Sequence, residues 1–122
     1  MKKLQILVVD DYEGNREVVA EFARTLGHAA ITASDGQEAV ELVSLSYFDL
    51  LITDRQMPGM FGEELIYRAK KIRPAMKTIL MTGGSLSAET TAAISAAGCD
   101  AIFQKSIKIE ELGKIMGLLF WK

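Results

Sequence analysis

The sequence predicts an α/β domain, a single doubly wound parallel sheet of five strands with five helices on both faces. Three observations predict it. Five short apolar runs, at residues 4–9, 29–33, 50–53, 78–81 and 101–104, alternate with five segments that read as helices; such alternation builds right-handed strand–helix–strand units. Four of these runs lead directly into Asp10, Asp54, Thr82 and Lys105, so their C-terminal tips share a character. No linker, repeat or low-complexity segment breaks the series, and 122 residues suffice for one domain with a real core but not for two. The span 1–122 is therefore expected to be one domain.

The first run, Leu-Gln-Ile-Leu-Val-Val, is rich in β-branched residues and ends on Asp10-Asp11. Over 15–26, Val18, Val19, Phe22, Ala23 and Leu26 mark one buried helical face, and Gly27 supplies a left-handed stop. After the strand 29–33, Ser34-Asp35-Gly36-Gln37 reads as a capping box in which Ser34 and Gln37 satisfy the first free amides of the next helix. That helix, 36–46, turns Ala39, Val40, Leu42 and Val43 inward. The central strand 50–53 runs directly into Asp54, and Met57-Pro58-Gly59 forbids its continuation. A helix over 61–72 buries Leu65, Ile66, Ala69 and Ile72 and stops at Arg73-Pro74. The strand 78–81 ends at Thr82, and Gly83-Gly84-Ser85 makes a flexible corner into a small-residue helix, 88–97, closed by Gly98. The strand 101–104 ends at Lys105. The last helix, 107–119, buries Leu112, Ile115, Met116 and Leu119; its two glycines, Gly113 and Gly117, each cost about 1 kcal/mol against Ala, so it depends on packing.

Composition excludes several classes of function. Fourteen basic against sixteen acidic residues, a formal charge of −2 and no basic run leave no electrostatic footprint for nucleic acid or a membrane surface. The first apolar run is interrupted by Asp10 before it could serve as a signal core or a membrane span, which points to the cytoplasm. Cys99 is the only cysteine, so no intrachain disulfide forms and its thiol reads as packing. His28, next to Gly27 and without a partner at metal-ligand spacing, reads as a helix-end or loop residue.

A parallel sheet gathers its strand ends on one edge, where open α/β sheets bind ligands. Here that edge collects Asp10, Asp11, Asp54, Thr82 and Lys105. Asp54 alone is more readily a turn-capping residue; its company argues otherwise. Carboxylates about 4 Å apart repel by roughly 1 kcal/mol in water and about 4 at an effective dielectric of 20, so three of them call for a cation or raised pKa values. An all-oxygen set with room for water suits Mg²⁺, with Mn²⁺ as the alternative. Lys105 adds a fixed positive charge, Thr82 a hydroxyl donor, and Gly83 close access to the backbone. A carboxylate nucleophile in that setting is matched to phosphoryl transfer, with an acyl phosphate on Asp54 as product.

The order and spacing of these pieces resemble the receiver domain of two-component response regulators. The resemblance is carried by Ile6-Leu-Val-Val-Asp-Asp11, Asp49-Leu-Leu-Ile-Thr-Asp54 with Met57-Pro58-Gly59 and Gly62, Met81-Thr82-Gly83, and Lys105. It implies the strand order 2-1-3-4-5 of flavodoxin-like folds. It also implies that Asp54 accepts phosphate from a histidine of a sensor kinase or phosphotransfer protein. Asp11 is then the direct Mg²⁺ ligand, Asp10 a partner acting through water, and the main-chain carbonyl of Gln56 a further ligand. Thr82 and Lys105 would engage the phosphoryl group and shift the surface of the fourth helix, fifth strand and fifth helix toward an unnamed downstream protein.

Two positions depart from the family pattern. Ser106 stands where Pro usually follows the lysine, often across a cis bond; a cis bond before a non-proline residue costs about 3 kcal/mol. The geometry of the Lys105–Ser106 bond is thus left open, with Ser106 as an alternative cap of the last helix. Ile102 stands where many members carry an aromatic switch residue; Phe103, one residue along, faces the other way and belongs with the core. Two competing readings are a pseudo-receiver that binds partners without phosphorylation, and a haloacid dehalogenase-type phosphohydrolase. The second lacks the expected acid two residues after the nucleophile, where Gln56 stands. A dinucleotide site is disfavoured because Asp10-Asp11-Tyr12-Glu13-Gly14 replaces a glycine fingerprint.

Overall fold

The computed structural model describes residues 2–121. Its elements are β1 (Gln5–Val9), α1 (Glu13–Thr25), β2 (Ala29–Ala33), α2 (Gly36–Leu45), β3 (Leu50–Asp54), α3 (Gly62–Ile72), β4 (Lys77–Thr82), α4 (Ala88–Ala96), β5 (Ala101–Gln104) and α5 (Ile109–Phe120). All strands run parallel in the order β2-β1-β3-β4-β5, as expected. β3 is central and every one of its residues is buried.

Alternation along the strands divides the core in two. Leu7, Val9, Leu51 and Leu80 pack with Ala39 and Val43 of α2, Leu65, Ile66 and Ala69 of α3, and Ile94 of α4. Ile6, Val8, Leu50, Ile52, Ile79 and Met81 pack with Val19, Ala20 and Ala23 of α1 and Leu112 and Met116 of α5. Each fully buried Leu or Ile contributes roughly 1.5–3 kcal/mol relative to exposure. Both faces of the sheet are therefore committed to helices, and only its edges remain for chemistry.

Several local expectations are corrected. Val18 lies half exposed, because the buried stripe of α1 runs through Val19, Ala20 and Ala23. Ile72, in the last turn of α3, is at the exposed rim. The cap of α2 is shifted by one residue: the Asp35 carboxylate accepts from the Glu38 N–H at 2.8 Å, and Glu38 reaches back to the Ser34 N–H at 2.8 Å. Gln37 instead extends toward Glu41. Ser106 does not cap the last helix; α5 begins at Ile109, and the Lys108 N–H donates to the Glu111 carboxylate at 3.0 Å. The Lys105–Ser106 peptide bond is cis.

His28 is more than a loop residue. It is 7 % exposed, its Nδ1 accepts from the Leu4 N–H at 3.0 Å, and its ring stacks on Trp121 with centroids 5.8 Å apart. Burial pulls its pKa below the ordinary value and the Asp49 charge pushes partly back. Cys99 is partly buried, donating to the Ala101 carbonyl at 3.1 Å, with its thiol pKa pushed up chiefly by burial. Among the described residues, no helix is long and apolar enough to cross a membrane.

Candidate functional site

Main-chain hydrogen bonds hold the strand tips in register. Beyond β1, the Asp10 N–H donates to the Ala33 carbonyl (3.3 Å); beyond β3, the Arg55 N–H donates to the Met81 carbonyl (2.9 Å); beyond β5, the Lys105 N–H donates to the Thr82 carbonyl (2.8 Å). Asp10, Asp54 and Lys105 are thereby delivered to one edge. The Lys105 ammonium lies 3.0 Å from Asp54 Oδ1 and 3.2 Å from Asp10 Oδ2. Asp11 projects from the same edge, exposed, and one carboxylate oxygen from each of Asp10, Asp11 and Asp54 falls within 4.8 Å of the others.

Asp10 is fully buried. Its Oδ1 accepts from the Tyr12 N–H at 3.0 Å, and its main-chain carbonyl accepts from the Arg16 guanidinium at 2.9 Å. Its Oδ2 has no hydrogen-bond partner, since the nearby Lys105 ammonium is at ion-pair distance but outside hydrogen-bond geometry. A buried carboxylate oxygen held by an ion pair alone can take a further partner. With two more carboxylates beside it and only one ammonium to oppose them, the donor set fits a hard divalent cation.

The charges shape one another. Burial raises the Asp54 pKa and the Asp10 charge adds to it, while Lys105 and the Arg55 N–H, which donates to Asp54 Oδ1 at 2.9 Å, oppose the rise. For Lys105, burial acts to lower the pKa, but the close carboxylates of Asp54 and Asp10 outweigh it and the net direction is up. Lys105 is a permanent cation at neutral pH.

The remaining predicted positions are less tightly gathered. Thr82 is buried at the tip of β4, and its hydroxyl makes long hydrogen bonds with the Gly84 main chain, 3.4 and 3.5 Å, instead of contacting Asp54. Gly83 and Gln56 are exposed in the loops that flank it. Ile102 is 40 % exposed on β5, while Phe103 packs with the core on the α1 and α5 face, as expected. Sequence reasoning missed Arg55 and Glu63, whose side chains form a mostly buried ion pair at 3.2 Å next along the chain from Asp54; two residues eight apart across a loop leave no periodic signal.

Known proteins match closely in sequence and fold. A sequence model described as the response regulator receiver domain matches residues 6–116. The sensor histidine kinase RcsC of Escherichia coli K12 is 29 % identical over 115 residues, 94 % of this chain but 12 % of that protein. The sensor protein EvgS of the same organism is 36 % identical over 88 residues, 72 % of this chain and 7 % of that protein. The chain thus spans about an eighth or less of these curated relatives. Among solved structures, Vibrio cholerae chemotaxis protein CheY4 superposes with a TM-score of 0.90 at 26 % identity, covering 98 % of this chain and all of that one. A CheY-like receiver domain protein from Methanospirillum hungatei JF-1 superposes with a TM-score of 0.89 at 30 % identity, covering 97 % of this chain and 94 % of that one.

Proposed function

The chain belongs to the response regulator receiver domain family of two-component signalling, and from that membership we propose that it accepts a phosphoryl group on Asp54 from a phosphohistidine. The family is one of signalling domains and not of turnover enzymes, which sets the phosphohydrolase reading aside. The observation that carries the proposal is the Asp54 carboxylate, buried at the tip of the central strand, 3.0 Å from the Lys105 ammonium and grouped with the carboxylates of Asp10 and Asp11.

In the transfer, an Asp54 oxygen attacks phosphorus, the phosphorus–nitrogen bond to the donor imidazole breaks, and the imidazole nitrogen leaves to be reprotonated. Asp10, Asp11, Asp54 and the Gln56 carbonyl would hold Mg²⁺, or Mn²⁺; when bound, it neutralises charge on the transferring phosphoryl oxygens. Lys105 supplies the opposing fixed charge. Raised by its acidic neighbours, its ammonium stays protonated while it exchanges a carboxylate partner for a phosphoryl oxygen. Thr82, now bonded only to Gly84, is free to turn its hydroxyl toward the phosphoryl group, drawing the β4–α4 loop with it. The output surface is that of α4, β5 and α5, with Ile102 in place of an aromatic switch. A histidine kinase or phosphotransfer protein is the upstream partner, in keeping with the sensor kinases that the chain resembles.

Incubation with Mg²⁺ and acetyl phosphate, followed by intact-mass measurement, tests this reading. One phosphoryl increment is expected on the parent chain and none on Asp54→Asn. No Asp54-dependent increment, together with no spectral response to beryllofluoride, would leave a pseudo-receiver.

A further inference from the structure

Arg55, the residue immediately after Asp54, holds both ends of the loop that carries Gln56. Its N–H reaches the Met81 carbonyl and Asp54 Oδ1, each at 2.9 Å, fixing the start of the loop to the sheet and to the nucleophile. Its carbonyl accepts from the Gly62 N–H at 2.7 Å, closing residues 56–61 into a ring. Its guanidinium bonds Glu63 at 3.2 Å and lies over the Phe61 ring, 5.1 Å from the centroid. The far end of the loop is pressed close: a Cβ at Gly62 would meet the Asp54 carbonyl oxygen at 2.5 Å.

Stability does not explain this arrangement. Arg55 and Glu63 are each 17 % exposed, and Arg55 Nε and Glu63 Oε1 are buried with no hydrogen-bond partner. A mostly buried ion pair joined by one bond, with a further polar atom on each side chain lacking a protein partner, is often no better for folding than apolar residues of similar shape. A group kept at such a cost calls for a role in the site.

We infer that the Arg55–Glu63–Phe61 clasp positions the β3–α3 loop so that the Gln56 carbonyl is presented to the divalent cation beside Asp54. This rests on the metal-dependent reading proposed above. Arg55 is then a positioning residue: it touches neither metal nor phosphoryl group, and it acts by restricting a loop that must deliver one oxygen within coordination distance.

At Arg55, charge and clasp predict opposite signs, which makes the inference testable. Removing a cation next to a dication site should tighten metal binding by Coulomb repulsion alone; opening the clasp should weaken it. Mg²⁺ titrations of the full chain, followed through amide NMR shifts around Asp54, would be run on Arg55→Ala, Glu63→Ala, the charge swap Arg55→Glu/Glu63→Arg, and Arg55→Met/Glu63→Met. Each alanine variant is expected to bind Mg²⁺ about tenfold more weakly, as loss of an outer orienting contact usually does, and the swap to recover most of the loss. The double methionine variant should melt in EDTA at or above the parent temperature yet still bind Mg²⁺ about tenfold more weakly. Equal or tighter binding by Arg55→Ala, or losses that merely follow melting temperature across the series, would overturn the clasp. A parent chain that shows no Mg²⁺ binding at all would instead sink the site reading, and the clasp with it.

Discussion

At the scale of single residues, His28 shows how an unremarkable position in the chain becomes a pin. Its Nδ1 accepts the Leu4 N–H only while unprotonated, and burial lowers its pKa against a partial push back from Asp49. With the pKa depressed in the fold, the unfolded chain binds the proton first. The His28 contribution is thus complete above about pH 6.5 and is lost as pH falls toward the folded-state value. Replacing His28 with Phe should cost about 1–3 kcal/mol, because a buried N–H is left without an acceptor. The stability difference between parent and His28→Phe should also shrink from about pH 8 to about pH 5. Urea melts read by the fluorescence of Trp121, the only tryptophan and the stacking partner of His28, measure both effects. A difference that stays constant with pH would show that the imidazole proton is irrelevant.

At the scale of elements, α5 offers a clean contrast between its two glycines. A Cβ at Gly117 would meet nothing within 4 Å, whereas one at Gly113 would press Leu26 at 3.4 Å. Gly117→Ala should therefore stabilise by about 1 kcal/mol, and Gly113→Ala by clearly less; thermal melts of the two variants compare them. Replacing Asp35 with Ala should cost about 0.5–2 kcal/mol as the cap of α2, and Ser34→Ala, whose main-chain N–H remains bonded to Glu38, should cost less. These cases also mark what could be read from the chain. The strands were plain because a parallel sheet covered on both faces makes each one an apolar run, and Asp10, Asp54, Thr82 and Lys105 were plain because each directly ends or follows such a run. The cap of α2 falls one residue from Ser34 because Ser34 and Asp35 are both good capping types and only geometry chooses. Val18 was misjudged because Val18 and Val19 are adjacent and helical spacing alone cannot rank neighbours. Arg55 and Glu63 left no local pattern, since what joins them is a loop closed by tertiary contact.

At the scale of the whole molecule, the two edges of the sheet use the same residue type in opposite ways. At the N-terminal edge the buried Asp49 is fully engaged: Oδ2 accepts from the Gln5 N–H at 2.8 Å, Oδ1 from the Tyr47 hydroxyl at 3.0 Å, and Lys2 lies 3.8 Å away. At the C-terminal edge, Asp10 and Asp54 share one lysine, Asp11 lies beside them, and Asp10 Oδ2 has no hydrogen bond. Asp49 is thus tied into the fold by hydrogen bonds, while Asp54 is held ionised against the effect of its burial and of the Asp10 charge. The raised pKa of Asp54 gives the sign. The folded chain binds this proton more tightly than the unfolded one, whose value is near 3.8, so stability from Asp54 rises as pH falls through the window above 3.8, and its ionised form destabilises the fold at neutral pH. Removing that charge by Asp54→Asn should raise the melting temperature in EDTA at neutral pH, with Lys105 retaining Asp10 as a partner. Mg²⁺ at a hundredfold excess over Kd should stabilise the parent by about 2.7 kcal/mol, and the variant, short of one carboxylate, by less at the same concentration. Calorimetry with and without the metal reads both. A lower melting temperature for Asp54→Asn in EDTA would mean that the Asp54–Lys105 pair supports the fold, and that the acidic edge is not the strained end of the molecule.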